Sequence, residues 1–241
     1  MDLGQFLQRR ERRMAELEPR RRELCLNCMQ PTFTCYCRHV HTFDPRMRFV
    51  ILIHPLEMRR RIATGRMSHL VLQNSELIAG YDYSMNARVD AILTNPKFHC
   101  VILYPGRKSV DLTPMCPVER TQLFPADKEL VIFVIDGTWN TARKMLRKSE
   151  NLHGLPQLRF QPPTPSNFRV RKQPKPECYS TLEAIHHMIE LVGPTRGFDP
   201  DSREHDKLTF VFDRMVEQQL EFIRQNHSWR RRSRHHKEPS A

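Results

Sequence analysis

A single carboxylate, Asp136, stands where an apolar stretch of the chain ends, which makes it a candidate for acid–base chemistry. Residues 130–135 read Leu-Val-Ile-Phe-Val-Ile, and Gly137, Thr138 and Trp139 follow the acid. An unbroken apolar run rich in β-branched residues is typical of a strand buried on both faces of a parallel sheet. Ligands bind at the carboxyl ends of such strands. We therefore predict that Asp136 lies in a ligand crevice; the alternative is that it only caps the helix that follows.

Four cysteines near the amino terminus are the second candidate for chemistry. One pair is separated by two residues and the other by one, and the pairs are Cys25 with Cys28 and Cys35 with Cys37. Such pairs can present four thiolates tetrahedrally, the geometry that zinc prefers, and His39 and His41 are close enough to replace one cysteine. Four protein ligands leave no open position, so we expect a structural zinc. The alternative is a set of reduced, unliganded thiols.

Two further apolar runs predict strands that end near Asp136. One spans residues 49–53 and ends at His54, and the other spans residues 100–104 and ends before Gly106. Carboxyl ends of parallel strands meet at one edge of a sheet, so both residues are expected at the same edge. Gly106 either permits a close backbone approach to a ligand or forms an ordinary turn. His54 is either a second candidate base or a hydrogen-bond partner that orders the strand end.

Helical spacing predicts the remaining elements. Apolar periodicity indicates helices over residues 56–72, 87–95 and 208–223, with another helix that begins after Thr138. Ser180 and Glu183 form a capping box that starts one more helix, which Gly193 ends. Alternation of apolar and basic residues over 168–172 indicates a short strand or an extended loop. The sequence therefore predicts an α/β domain with a mostly parallel sheet and flanking helices.

The composition favours a polyanionic partner. The chain of 241 residues carries 39 Lys and Arg against 27 Asp and Glu, a net charge of +12, and its isoelectric point is about 9.7. That balance points to nucleic acid, with a basic membrane-surface protein as the rival interpretation. No segment approaches the roughly 18 apolar residues of a transmembrane helix, and arginines at positions 9, 10, 12 and 13 interrupt any signal-peptide core. We expect a cytoplasmic chain whose clustered cysteines are not disulfides.

Six motifs, taken in order, resemble those of the DTW-domain family across roughly residues 25–192. They are the four-cysteine cluster, His54-Pro55-x-Glu57 with Thr64-Gly65-Arg66, Tyr104-Pro105-Gly106, Asp136-Gly137-Thr138-Trp139, Arg171-Lys172 and Ser180-Thr181-Leu182-Glu183-Ala184. The family is related to the SPOUT methyltransferases, so the resemblance implies a trefoil-knotted α/β sheet. From this resemblance together with the residue patterns outside that region, we predict a basic amphipathic helix over 1–24, a zinc module over 25–41, a catalytic domain over 42–227 and a disordered basic tail over 228–241.

The resemblance implies a tRNA-uridine aminocarboxypropyltransferase. Such an enzyme transfers the 3-amino-3-carboxypropyl arm of S-adenosylmethionine to N3 of a tRNA uridine and releases methylthioadenosine. The compact chain favours a uridine of the variable loop. We expect tRNA as the partner, no membrane, no obligate protein partner and a monomer.

Roles follow for named residues. Asp136 is the expected base, because the uridine imide must lose its proton near the attack. S-adenosylmethionine is expected to contact three segments: Leu103, Tyr104, Pro105 and Gly106; Asp136, Gly137 and Thr138; Ser180, Thr181 and Glu183. The expected phosphate contacts are Arg59, Arg60, Arg66, Arg143, Lys144, Arg171 and Lys172. Trp139 is assigned to helix packing in preference to support of an extruded base.

Two other functions are compatible with the same residues. A SPOUT-type RNA methyltransferase would use the same donor and release S-adenosylhomocysteine. A zinc-stabilised RNA-binding module without catalysis would not bind the donor at all.

Overall fold

A computed structural model describes residues 4–5, 7–9, 23–171 and 178–235 of the chain. Of the helix predicted over 1–24, residues 4–5 and 7–9 are helical, whereas residues 23–24 are not, since Leu24 forms an isolated bridge with Pro31. The remaining residues of that prediction lie outside the described residues. The domain boundaries drawn from the sequence stay a prediction.

A six-stranded sheet forms the centre of the protein. Its strands are β1 (Arg48–Ile53), β2 (Ser75–Ala79), β3 (Phe98–Leu103), β4 (Val110–Asp111), β5 (Glu129–Asp136) and β6 (Gln157–Arg159). They lie in the order β2-β1-β5-β3-β6-β4, and every described pair is parallel. The three strands predicted from apolar runs are neighbours in the middle, where helices cover both faces. The prediction of an α/β fold with a parallel sheet is confirmed.

Besides the helical residues 4–5 and 7–9, seven α-helices accompany the sheet in the described part of the chain. They are α1 (Pro55–Met58), α2 (Thr64–Val71), α3 (Ala87–Leu93), α4 (Pro117–Gln122), α5 (Trp139–Lys148), α6 (Thr181–Val192) and α7 (Asp206–His235). The single helix predicted over 56–72 is wrong, because the chain leaves helical geometry after α1 and resumes it only after Ala63, whose backbone is extended. The strand or extended loop predicted over 168–172 is a turn where the structure describes it, closed by the 3.1 Å hydrogen bond from Arg171 N–H to the Phe168 carbonyl.

Alternate residues of the central strands face two separate apolar layers. On β5, Ile132 and Val134 pack in the layer of α2, α6 and α7, whereas Val131 and Phe133 pack in the layer of α3 and α5. Each fully buried side chain of this size contributes roughly 1.5–3 kcal/mol relative to an exposed one. Burial on both faces thus holds β5, and the acid at its end, in a fixed position.

The last helix is longer than predicted. The expected helix over 208–223 lies within α7, which continues to His235 and so includes the first part of the predicted disordered tail. Leu208, Val211 and Met215 pack α7 against the layer of α2 and α6. Among the described helices, none is both long and apolar enough to cross a membrane.

Candidate active site

Asp136, the last residue of β5, lies buried at the carboxyl edge of the sheet. Its Oδ1 accepts a 2.6 Å hydrogen bond from Thr181 Oγ1 at the first residue of α6. Its Oδ2 accepts a 3.2 Å hydrogen bond from the backbone N–H of Gly65 in the first turn of α2. Three segments that are distant in the sequence therefore meet at one carboxylate.

The backbone of α2 approaches Asp136 closely because residue 65 is a glycine. A Cβ atom at Gly65 would lie 2.4 Å from Asp136 Oδ2 and 2.8 Å from its Cγ. Only a residue without a side chain leaves room for the carboxylate there.

Burial raises the pKa of Asp136, because removal from water disfavours the charged form. The Thr181 hydrogen bond opposes this rise, the negative charge of Glu57 adds to it, and the Gly65 N–H and Arg171 oppose it. Perturbed carboxyls at a ligand edge are typical of acid–base sites.

Asp136 does not cap the helix that follows it. Thr138 occupies the N-cap position of α5, and its Oγ1 accepts a 3.2 Å hydrogen bond from the Thr141 N–H. The alternative explanation of Asp136 as a helix cap is therefore wrong.

A buried ion pair lies beside the acid. Glu57 is only 3% exposed, and both of its oxygens accept hydrogen bonds from Arg171, at 3.2 Å from Nη1 and 3.1 Å from Nη2. Arg60 Nη1 lies 3.3 Å from Oε1 of the same carboxylate. This pairing ties the loop after β6 to the turn after β1, and it gives Arg171 a structural role.

The capping box at the start of α6 is confirmed and does more than predicted. Ser180 Oγ accepts from the Glu183 N–H at 3.3 Å, and Glu183 Oε2 accepts from the Ser180 N–H at 2.8 Å. Glu183 also accepts hydrogen bonds from the Ser166 hydroxyl, at 3.1 and 2.8 Å, and from the Asn167 N–H at 2.7 Å. Its carboxylate is thus occupied in holding the 166–167 loop on α6, which leaves it poorly placed to pair with a donor ammonium.

The segment after β3 forms a tight turn at the same edge. Gly106 N–H donates a 2.7 Å hydrogen bond to Ser109 Oγ, and the Ser109 hydroxyl donates one of 2.7 Å to the Tyr104 carbonyl. In the sheet register Leu103 lies opposite Val134, two residues before Asp136. The predicted segment therefore ends beside β5, with Pro105 exposed and Gly106 partly buried.

His54 orders the end of β1. Its Nδ1 accepts a 3.1 Å hydrogen bond from the Leu56 N–H as the N-cap of α1, and its ring lies edge-on to Tyr81 at 5.5 Å. Its backbone N–H donates to the Asp136 carbonyl at 2.9 Å. The structure therefore supports the ordering role of His54.

The seven predicted phosphate contacts have different environments. Four of them are exposed: Arg59, Arg60, Arg143 and Lys144. Arg66 is instead buried, and its Nη1 donates to the carbonyls of Cys28 at 3.2 Å and Arg60 at 3.3 Å. Because its guanidinium is turned inward, we correct its assignment from a phosphate contact to a structural link. Lys172 lies outside the described residues.

Trp139 is not a packing residue, contrary to the prediction. It is 40% exposed at the first position of α5, three residues after Asp136. Ala142 and Met145 supply the buried face of this helix instead. Helical periodicity placed Trp139 on the packed face, but this first residue of α5 lies outside the part of the helix that packs on the sheet.

The four-cysteine group has the geometry of a metal site. All four sulfurs lie within 4.8 Å of one another, with Cys25 and Cys37 sulfurs 3.7 Å apart and Cys28 and Cys35 sulfurs 3.6 Å apart. A tetrahedral zinc with bonds of about 2.3 Å separates its sulfurs by about 3.8 Å. The thiols present therefore fit a metal ion.

Two residues near the acid, Glu57 and Gly65, were given no role by the sequence analysis. Both residues occur in the quoted motifs, but no sequence signal shows that Glu57 would form a buried ion pair near Asp136 or that the Gly65 N–H would donate to Asp136.

A shallow groove of about 360 Å³ lies elsewhere and contains none of the predicted site residues. It is lined by Phe33, Thr34, Glu217, Gln218, Glu221 and Phe222.

Comparison with known proteins gives consistent matches. The family model of the DTW domain matches residues 22–220. The chain is 31% identical to tRNA-uridine aminocarboxypropyltransferase 2 of Drosophila melanogaster over 181 residues, 72% of this chain and 68% of that protein. It is 26% identical to the protein of the same name from Macaca fascicularis, over 73% of this chain and 59% of that protein.

A plant relative matches over a longer region. The chain is 24% identical to tRNA-uridine aminocarboxypropyltransferase A of Arabidopsis thaliana over 229 residues, 85% of this chain and 83% of that protein. No solved structure matches the chain.

Proposed function

The chain belongs to the DTW-domain family, and we propose that it transfers the 3-amino-3-carboxypropyl group of S-adenosylmethionine to N3 of a tRNA uridine. Its curated relatives are named tRNA-uridine aminocarboxypropyltransferases, which supports transfer of an aminocarboxypropyl group to a tRNA uridine. The single observation that carries the proposal at the level of chemistry is the buried, doubly hydrogen-bonded Asp136 at the ligand edge of the sheet.

In the proposed reaction Asp136 takes the proton from N3 of the uridine. The nitrogen lone pair then attacks the terminal carbon of the aminocarboxypropyl arm, the carbon–sulfur bond breaks, and its electron pair stays on sulfur. The products are the modified uridine, neutral methylthioadenosine and protonated Asp136. A raised pKa suits this step, because a base works best when its pKa approaches the working pH.

Choice of the arm over the methyl group is a matter of position. Attack goes to whichever carbon of the sulfonium is held in line with the nucleophile. We propose that the donor lies against Leu103–Gly106, Asp136–Thr138 and the start of α6. At α6, Thr181 is well placed because its hydroxyl already contacts Asp136. Glu183 has an internal role there, so backbone N–H groups at the helix terminus are better candidates for the donor carboxylate.

The tRNA is proposed to bind across the same edge. The exposed cations Arg59, Arg60, Arg143 and Lys144 flank the ends of β1 and β5 and supply charge for phosphate contacts. Trp139 is exposed beside them, and its ring can stack on a uridine extruded from the tRNA.

Several further features belong to the proposal. The four thiols are proposed to hold a structural zinc, which would link residues 25–37 to α2 through Arg66 and the Cys28 carbonyl. The domain boundaries, the trefoil knot, a variable-loop target, a monomeric state and a cytoplasmic location, where thiols stay reduced, complete it.

Product analysis tests the function directly. The protein is incubated with bulk tRNA and S-adenosylmethionine, and both small products and nucleosides are identified by mass spectrometry. The proposal predicts methylthioadenosine together with a uridine heavier by one aminocarboxypropyl group. S-adenosylhomocysteine would indicate a methyltransferase, and no binding of the donor by folded, zinc-loaded protein would indicate a non-catalytic RNA-binding module.

A further inference from the structure

A second group of metal-ligating side chains lies where α7 begins against α6. His186 and Glu190 are four residues apart on α6, which places them on one face of the helix. His205 immediately precedes α7, and Asp206 is its first residue. Among the described residues, none of these four side chains forms a hydrogen bond with Asp136.

The ligand atoms of His186, His205 and Asp206 converge, all within 4.8 Å of one another, and Glu190 lies next to them. His186 Nε2 lies 2.9 Å from Asp206 Oδ1, and His205 Nε2 lies 3.9 Å from the same oxygen. His205 Nε2 is also 3.4 Å from Glu190 Oε1. A tetrahedral zinc with bonds of about 2.0–2.1 Å separates its ligand atoms by about 3.3–3.4 Å. The three observed separations lie on both sides of that value, so a small adjustment would admit an ion.

The two imidazoles lie close together. Their ring centroids are 4.4 Å apart with planes inclined by 34°, and His205 is fully buried. His205 Nδ1 has no hydrogen-bond partner. His205 Nε2 faces Glu190 and Asp206, so a neutral ring that keeps its proton on Nδ1 offers the Nε2 lone pair to a cation, at the cost of leaving the Nδ1 N–H unpaired.

The local charge favours a cation. Arg203 contacts both carboxylates, with its Nε 2.8 Å from Asp206 Oδ2 and its Nη1 3.5 Å from Glu190 Oε1. His187 Nδ1 lies 3.0 Å from the second oxygen of Glu190. With neutral imidazoles, two carboxylates and one guanidinium leave a net charge of −1. Arg203 Nη2 also donates to Asp206 Oδ1 at 2.8 Å, so a bound ion would share that oxygen with the guanidinium. The Arg203 contact to Asp206 Oδ2 orients the carboxylate, as outer-shell partners do in metal sites.

We propose that His186, His205 and Asp206 form a second divalent metal site, suited to Zn²⁺ by its two imidazoles and one carboxylate, with Glu190 beside it. The ion clamps the start of α7 to α6. Since Thr181 at the other end of α6 holds Asp136, the clamp steadies the helix that orients the acid.

Metal content and cobalt spectra of the whole chain test this site. The protein is saturated with Zn²⁺, freed of excess metal, and analysed by mass spectrometry for metal. We expect two zinc ions per chain in the wild type, one in His186→Gln and one in Asp206→Asn. His153→Gln, which changes an exposed histidine away from the cluster, is the matched control and should retain two.

A titration with Co²⁺ makes the test independent of any variant. The first equivalent should show the intense thiolate-to-cobalt absorption of the four-cysteine site, and the second only weaker bands typical of nitrogen and oxygen ligands. The proposal is overturned if the wild type binds a single ion through thiolates. It is equally overturned if folded His186→Gln, checked by circular dichroism, binds two ions like the control.

Discussion

The ion pair beside the active acid gives the sharpest stability prediction. In Arg171→Met, the Glu57 carboxylate stays buried and loses both of its hydrogen bonds from Arg171. Leaving one partner of a buried pair uncompensated costs about 3–5 kcal/mol. Arg60 Nη1, at 3.3 Å, stays as a partial partner, so we expect a loss at the lower end of that range.

The double variant Glu57→Gln/Arg171→Met separates charge burial from lost packing. Because no buried charge remains unpaired, and Arg60 is exposed to water, it should recover most of the loss and lie within about 1 kcal/mol of the wild type. Urea unfolding of the zinc-loaded protein, followed by circular dichroism, measures both variants. Arg88→Met is the control, since this exposed arginine pairs with Glu76 on the edge strand β2 and should cost less than about 1 kcal/mol. The reasoning fails if Arg171→Met costs no more than the control, or if the double variant is no more stable than the single one.

Three further outcomes are expected. Gly65→Ala should lower activity strongly, because the new Cβ displaces Asp136. The strain should lower the free energy of unfolding by only about 1–3 kcal/mol. An unchanged kcat would contradict this prediction. Thr181→Val removes a hydrogen-bond donor to the ionised acid and so raises the pKa of Asp136 further. The acid limb of the pH–activity profile should therefore move up by about one to two pH units. Thr181→Ser keeps a hydroxyl donor and should leave the acid limb unchanged. Strong chelators should release metal from the wild type and lower its unfolding temperature, as measured by scanning calorimetry. The same chelators should change the unfolding temperature of Cys28→Ser much less.

The burial of Asp136 also gives a pH dependence of stability. Its pKa is higher in the folded state than in the unfolded one, so the folded state holds the proton more tightly. The resulting stability is present below the ordinary pKa of the acid and is lost as the pH rises through the raised value. A buried carboxylate that lowers the stability of the fold at working pH is expected where the position of the acid serves function and not stability.

The parts of the fold that sequence predicts well are those fixed by local pattern. The apolar runs of β1, β3 and β5 and the capping box at Ser180 and Glu183 were predicted because burial and helix capping leave periodic or fixed-spacing signals. β4 and β6 span two and three residues, too short for any period to show. β2 lies at an edge of the sheet, and only Ile78 among its residues is buried, so it lacks a continuous apolar run.

The site shows the same division. The ends of the apolar runs predicted that Asp136 and the segment before Gly106 lie at one edge of the sheet, and the spacing of the cysteines predicted their cluster. The sequence did not show that Arg66 turns inward, because a buried arginine satisfied by carbonyls has the same residue type as a phosphate contact. It also did not show that Trp139 faces solvent. Both depend on where the ends of helices fall in three dimensions.

The most direct test of the central claim compares the wild type with Asp136→Asn in a single turnover. S-adenosylmethionine labelled in its aminocarboxypropyl arm is mixed with tRNA and excess enzyme, and labelled nucleoside is measured over time, with donor binding followed by calorimetry. If Asp136 is the base, Asp136→Asn should bind the donor within a few-fold of wild type and transfer the arm roughly 10²–10⁴ times more slowly. Transfer at the wild-type rate by the folded variant would show that another group removes the uridine proton.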